Sequence, residues 1–215
     1  MYPALCYDAG MSSVGILLLE SALLYLVPPL LLLTGVLPKY LVLPLLWAGT
    51  LYALFVLRRN GAALHWHVEL SDLWRIFRRF ALLGAALLLA VWLCAPERFF
   101  AMPLHRPGLW AAVILLYPLL SALAQEILFR AFFAYRFEHL LGTRPLLLFN
   151  AAVFAAVHAV FGNPLAVMLS FLGGLVFMST YLKTRSVSTS TIEHALYGDL
   201  VFTVGLGAYF YHGQL

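Results

Sequence analysis

The chain has 215 residues, of which 64% are hydrophobic and only 10% charged, with a formal net charge of +4 and a mean hydropathy of +0.94. A soluble domain carries about 25% charged residues, so that class is excluded, and so modest a positive charge requires no nucleic-acid partner. The composition predicts an all-α, polytopic membrane bundle of about seven (six to eight) transmembrane helices in a single domain.

In chain order, "MYPALCYDAGMSS" has no Lys or Arg ahead of the first apolar run. It lacks the basic start of a cleavable signal, so the first run is expected to be retained as a span. At roughly 20 apolar residues per crossing, span one is expected over 14–36, interrupted at Pro28-Pro29. Span two falls at 40–57 and span three at 80–95. Between them, 58–79 carries five arginines with Trp66 and Trp74 and is expected to lie along the headgroups as an interfacial helix. Span four is expected from 109 to about 137, kinked at Pro118. Spans five, six and seven follow at 146–161, 164–182 and 187–210. The cysteines, Cys6 and Cys94, fit no metal or redox spacing and read as apolar filler.

Basic residues cluster in the 58–79 connection, at Arg136 and Arg144, and at Lys183 and Arg185. The positive-inside rule therefore predicts a cytoplasmic N-terminus. Polar residues inside spans are costly and mark function. They are few: Glu20; Gln125, Glu126 and Arg130; Asn150 and His158; Glu193, His194 and Asp199. Glu20 reads as a satisfied or snorkelling acid near a helix end. Glu126 and Arg130 are i,i+4 neighbours on one helix face, suited either to a structural ion pair or to a site. Phe154 and His158 share the same spacing. One acid and two histidines on three spans meet the needs of a buried acid/base centre, where a carboxylate takes a proton from water and imidazoles orient that water or donate to an oxyanion.

The order "QEILFR" (125–130), "FAAVH" (154–158), "HALYG" (194–198) resembles the three signatures of the CPBP family of intramembrane endopeptidases, EExxxR, FxxxH and HxxxN/D. That family includes the CAAX prenyl proteases and bacteriocin-processing proteins. The resemblance covers roughly 110–210, and implies a catalytic core at 109–215 behind variable N-terminal spans at 1–108. It implies hydrolysis of a peptide bond by activated water. Glu126, His158, His194 and Gln125 are then the catalytic set, supported by Arg130, Phe154 and Asp199, with no cofactor. In the family the acid and the second-motif histidine hold the water, and the third-motif histidine and its amide partner stabilise the oxyanion.

Two positions depart from the pattern. The first family acid is Gln125 here, an amide that orients by hydrogen bonding and has no basic lone pair near neutral pH. Either Glu126 is the base or the chain carries a disabling change; adjacent helical residues point about 100° apart, so the first option needs a rotated or distorted helix. The third motif's Asn or Asp is Gly198, and Asp199 lies about 140° round the helix from His194. Glu126, His158 and His194 also match the ligand count of a catalytic zinc site, which keeps a zinc-dependent protease as an alternative. On straight spans, His158 falls at a different depth from Glu126 and His194, unless the helix is re-set after Pro118.

The expected substrate is a membrane-embedded or lipid-anchored protein or peptide, accommodated in apolar cavities along "GLVFMS" and "YFYHG". The expected location is the bacterial cytoplasmic membrane. The C-terminal stretch is also similar to the small branch that processes sorting tails. Two other functions stay open: a non-catalytic binding or immunity factor of the same fold, favoured by Gln125, and a small transporter, disfavoured by the lack of an internal repeat.

Overall fold

The computed structural model describes residues 11–210, with side chains from residue 14 onward; Cys6 and the end of "YFYHG" lie outside the described residues. Among the described residues six helices are long and apolar enough to cross a membrane: α1 (Val14–Leu33), α2 (Lys39–Arg59), α3 (Leu70–Cys94), α4 (Pro107–Leu141), α5 (Thr143–Phe161) and α6 (Pro164–Thr184). A seventh helix, α7 (Val187–Thr203), takes the place of the last expected span. It is shorter than the others and packs against α3, α4 and α6. Among the described residues there is no strand, only a single bridge between His65 and Ser186.

The polarity is that of a protein dissolved in lipid. Large apolar side chains such as Leu51, Phe55, Leu82, Trp92, Leu115 and Leu119 face outward, whereas Glu126, Arg130, Asn150, Glu193 and His194 are buried. A soluble fold inverts that arrangement, because only water rewards an exposed charge. The chain is an integral membrane protein.

One expectation needs correction. The arginine-rich 70–79 stretch is not a separate interfacial helix: it is the first part of α3, one unbroken 25-residue helix. No Gly or Pro interrupts the turns of 70–79, and one of their charges is met locally, Arg75 pairing with Asp72 at 2.6 Å. Such a helix is about 37 Å long, more than the roughly 30 Å hydrocarbon layer, so its first turns stand in the headgroup region. The preceding residues leave α2 through a turn with Gly61 at φ +66° and run to the start of α7. There the Val187 amide donates to the His65 carbonyl at 2.9 Å, and the Thr189 and Ser186 hydroxyls donate to the His67 carbonyl.

Helix α4 carries Pro118, where a kink is expected. It runs unbroken through Pro118 but widens into π-helical turns at Pro118–Ala122 and again at Ile127–Phe132. Proline removes a donor and crowds the carbonyl four residues back, and a widened turn relieves both. A third π turn, Ala22–Leu26, precedes Pro28-Pro29 in α1. Residues Leu123–Glu126, holding the first motif, are thus an α-helical turn between two distortions.

The motif helices are held by small-residue contacts and by polar clamps. At Gly174 of α6 an added Cβ would lie 2.8 Å from the Ala151 Cα of α5. Only glycine permits that approach, the usual device of helix pairs in lipid. Glu20 is satisfied by Arg136 and by the Tyr52 hydroxyl, each at 2.6 Å. Cys94 is exposed and unpaired.

Candidate active site

Glu126 is fully buried, and its Oε1 lies 2.8 Å from His194 Nδ1 of α7. Because a carboxylate only accepts, Nδ1 is the protonated nitrogen of that contact. Arg130, also fully buried, lies one turn along with Nε 3.4 Å from the same Oε1. The i,i+4 pair expected from sequence is present, but its guanidinium is held chiefly elsewhere. Nη1 donates to Asn150 Oδ1 at 2.6 Å, and Asn150 Nδ2 donates to the Phe129 carbonyl at 2.5 Å. The Phe154 ring lies 4.3 Å under the guanidinium, a cation–π contact strengthened by exclusion of water. The other oxygen of Glu126, Oε2, has no hydrogen-bond partner among the described residues.

The His194 ring is sandwiched. Phe177 stacks on it at 4.3 Å, and Phe154 and Tyr117 meet it edge-on at 5.8 and 6.0 Å. Its neighbour Glu193 faces away into a separate clamp. Arg79 Nε and Nη2 donate to Glu193 at 2.9 and 2.6 Å, and the Thr180 hydroxyl donates at 2.5 Å. This second charge pair, buried on its Glu193 side and half-buried at Arg79, ties α3 and α6 to the turn of α7 that carries His194.

Gln125 and His158 belong to a different face. Both line an apolar cavity of about 340 Å³, together with Ser121, Leu128 and Phe129 of α4, Val157 and Phe161 of α5, and residues 23–32 of α1 and 42–52 of α2. This volume is within the range of ordinary ligand pockets. His158 Nδ1 lies 2.6 Å from the Phe154 carbonyl. A carbonyl accepts only, so Nδ1 carries the proton and the neutral ring keeps its lone pair on Nε2. Gln125 Nε2 donates to the Ser121 hydroxyl at 2.7 Å, and its carbonyl Oε1 is buried without a partner among the described residues.

The sequence-derived set therefore divides. Glu126, His194, Arg130 and Phe154 form one buried cluster; Gln125 and His158 share the cavity. Phe154 joins them, since its ring also lies 4.5 Å from that of His158. The depth mismatch between His158 and His194 disappears because both imidazoles pack on this one ring. Asp199 lies further along α7, its backbone carbonyl bonded by Thr203 and its Oδ1 buried without a partner among the described residues. Of "GLVFMS", Phe177 and Met178 are packed in the core, and the walls of the cavity at Gln125 and His158 come from α1 and α2. Among the described residues no three His, Cys, Asp or Glu side chains gather as a metal-binding group.

Several contributors carry no sequence signal of their own. Ser121 is a small residue four before Gln125, Tyr117 precedes a proline, and Phe177 looks like core. Asn150 was visible as a polar residue in a span, but nothing in the sequence joins it to Arg130.

Residues 107–198 match the profile of the type II CAAX prenyl endopeptidase Rce1-like family. This segment resembles that family. It begins with α4 and ends at Gly198, so all three motifs lie inside it, and it supports the family expected from their order. The Rce1-like segment is a little under half of the chain, and α1, α2 and α3 lie outside it. No curated protein and no solved structure matches the chain.

Proposed function

We propose that the chain is an intramembrane endopeptidase that hydrolyses a peptide bond in a membrane-anchored protein or peptide. The observation that carries this reading is the pair of acceptor-bearing side chains lining one cavity. Gln125 and His158 both line it; Gln125 Oε1 has no donor among the described residues, and His158, bonded to the Phe154 carbonyl through Nδ1, keeps its lone pair on Nε2. Water has two protons to give. A water donating to both acceptors presents a lone pair to a carbonyl carbon, and the amide at 125 is then an orienting group and His158 the base.

The steps balance as follows. Water oxygen bonds to the peptide carbonyl carbon as its proton passes to His158 Nε2. The carbonyl becomes an oxyanion. The oxyanion is met by the imidazole of His194, which packs on the same Phe154 ring as His158 and which Glu126 keeps oriented and, when protonated, balances in charge. Collapse of the tetrahedral adduct breaks the C–N bond, and His158 returns its proton to the leaving amine. Arg130 holds Glu126 in place through charge. The reaction needs no resident cofactor on this account; a metal-assisted version is separated from it by chelation.

Substrate access follows from the cavity walls. They are leucine, proline and aromatic residues, suited to a lipid-anchored or membrane-embedded segment. The proposed setting is the bacterial cytoplasmic membrane with the N-terminus inside, in line with the basic ends of α2, α3 and α6.

The test is cleavage of membrane-anchored reporter proteins by the chain in proteoliposomes, with new termini read by mass spectrometry. His158→Gln is expected to lose about 10²–10⁴ of the rate, the usual worth of a general base. Gln125→Glu is expected to keep cutting. If Gln125→Glu cuts and the parent chain does not, the parent is a disabled enzyme and the binding-factor reading replaces this one.

A further inference from the structure

At the end of the third motif, where the resembling family carries Asn or Asp, this chain has Gly198. The missing side chain is not an empty place. A Cβ built at Gly198 would lie 2.2 Å from Tyr117 Cε1 and 2.5 Å from both Cζ and the hydroxyl oxygen. The phenol of Tyr117, crossing from α4, fills the volume that a side chain on α7 would use. Only glycine at 198 admits it.

The ring that fills this space is also placed for chemistry. It meets His194 edge-on at 6.0 Å and Phe202 at 5.6 Å, and both Glu126 and Asp199 lie within electrostatic reach of its hydroxyl. Among the described residues that hydroxyl has no hydrogen-bond partner, in contrast to Tyr25 and Tyr52, whose hydroxyls donate to the Leu128 carbonyl and to Glu20. Tyr117, Ser121 and Gln125 follow one another at intervals of four along α4, and the last two line the cavity. The widened turn at Pro118–Ala122 directly follows Tyr117, setting this ring independently of the motif turn beyond it.

We infer that Tyr117 is a further catalytic residue, donating its hydroxyl hydrogen to the reacting carbonyl oxygen beside His194 in place of a polar side chain at position 198. This rests on the proteolytic reading above. A phenol serves there because it is a neutral donor that needs no counter-charge in an apolar site, and because a pre-set donor acts most strongly where water is excluded.

The experiment uses the full chain in proteoliposomes and a membrane-anchored reporter that the parent chain cleaves. Tyr117→Phe keeps the ring and removes the donor. It is expected to lower kcat by about 10²-fold, the scale for one oxyanion donor, with KM and thermal midpoint unchanged. The double variant Tyr117→Ala with Gly198→Asn clears the ring and supplies an amide from α7. It is expected to recover at least ten-fold over Tyr117→Ala alone. Tyr117→Phe with a parental kcat overturns the inference; so does a loss carried entirely by lowered stability. If the double variant does not fold, Tyr117→Phe decides alone. Glu126→Gln, measured on the same reporter, keeps the two claims apart. A dead Glu126→Gln beside an active Tyr117→Phe removes Tyr117 and leaves the protease standing, and a parent that cuts no reporter removes both.

Discussion

Replacing Glu126 by Gln preserves its shape and its ability to accept from His194, and removes one charge. The neighbouring Arg130 is fully buried, with Nε 3.4 Å from the lost charge. At that separation the attraction is about 5 kcal/mol for an effective dielectric of about 20, and breaking a buried pair from one side costs about 3–5 kcal/mol. In a chain of this size about 3 kcal/mol corresponds to a fall of about 6–12 °C in thermal midpoint. The structure offers a way to return the charge. Asn150 Oδ1 accepts from Arg130 Nη1 at 2.6 Å, so Asn150→Asp places a carboxylate on the same guanidinium. The return is partial, because Asn150 Nδ2 also donates to the Phe129 carbonyl and an aspartate cannot. The expected series in a detergent melt is parent, then Glu126→Gln/Asn150→Asp, then Glu126→Gln, in falling order of midpoint. Both variants are expected to be inactive against a reporter that the parent cuts, since neither restores a charge beside His194. An unchanged midpoint in Glu126→Gln refutes the charge argument. Recovered cleavage in the double variant refutes the assignment of Glu126 to the chemistry and leaves it a structural counter-ion.

Gly198→Ala is expected to cost about 1–3 kcal/mol, the range for an overpacked interior, read as a lowered midpoint. Combining it with Tyr117→Ala should relieve the penalty, because the three atoms nearest the added Cβ all belong to that ring. Cleavage is expected to persist after dialysis against a chelator, and a loss reversed by added zinc would replace the imidazole base with a metal-bound water. Arg79→Met, which leaves Glu193 buried with only Thr180 as partner, is expected to cost about 3–5 kcal/mol. A midpoint equal to the parent's would show that this clamp does not hold α7.

The sequence made the membrane class legible because composition alone demands it, and six of the expected spans reappear with ends shifted by a few residues. The largest shift is at α3, where ten expected interfacial residues belong to the spanning helix. Periodicity cannot separate a helix lying on the membrane from one rising out of it when both carry arginine and tryptophan. The three motifs were legible as short polar signatures on separate helices. Which motif residue meets which was not, since the partition of Gln125 from Glu126 depends on the turns before and after Leu123–Glu126. Proline 118 announced a distortion, but no residue announces the second one at Ile127–Phe132. Tyr117 and Gly198 show a different limit. Each is unremarkable in sequence, and they acquire meaning only when a ring from one helix fills the gap left on another.

The cavity has a consequence for how such a chain can change. Its polar end, Ser121, Gln125 and His158, belongs to the Rce1-like segment, whereas its greasy walls are drawn largely from Leu23–Leu32 of α1 and Val42–Tyr52 of α2. On the proposed reading, reaction and selection are thus encoded in separate stretches of the chain. Drift in the first two helices can re-tailor the shape of what is admitted without touching a proton-transferring group, so two chains with the same three motifs need not share a single substrate.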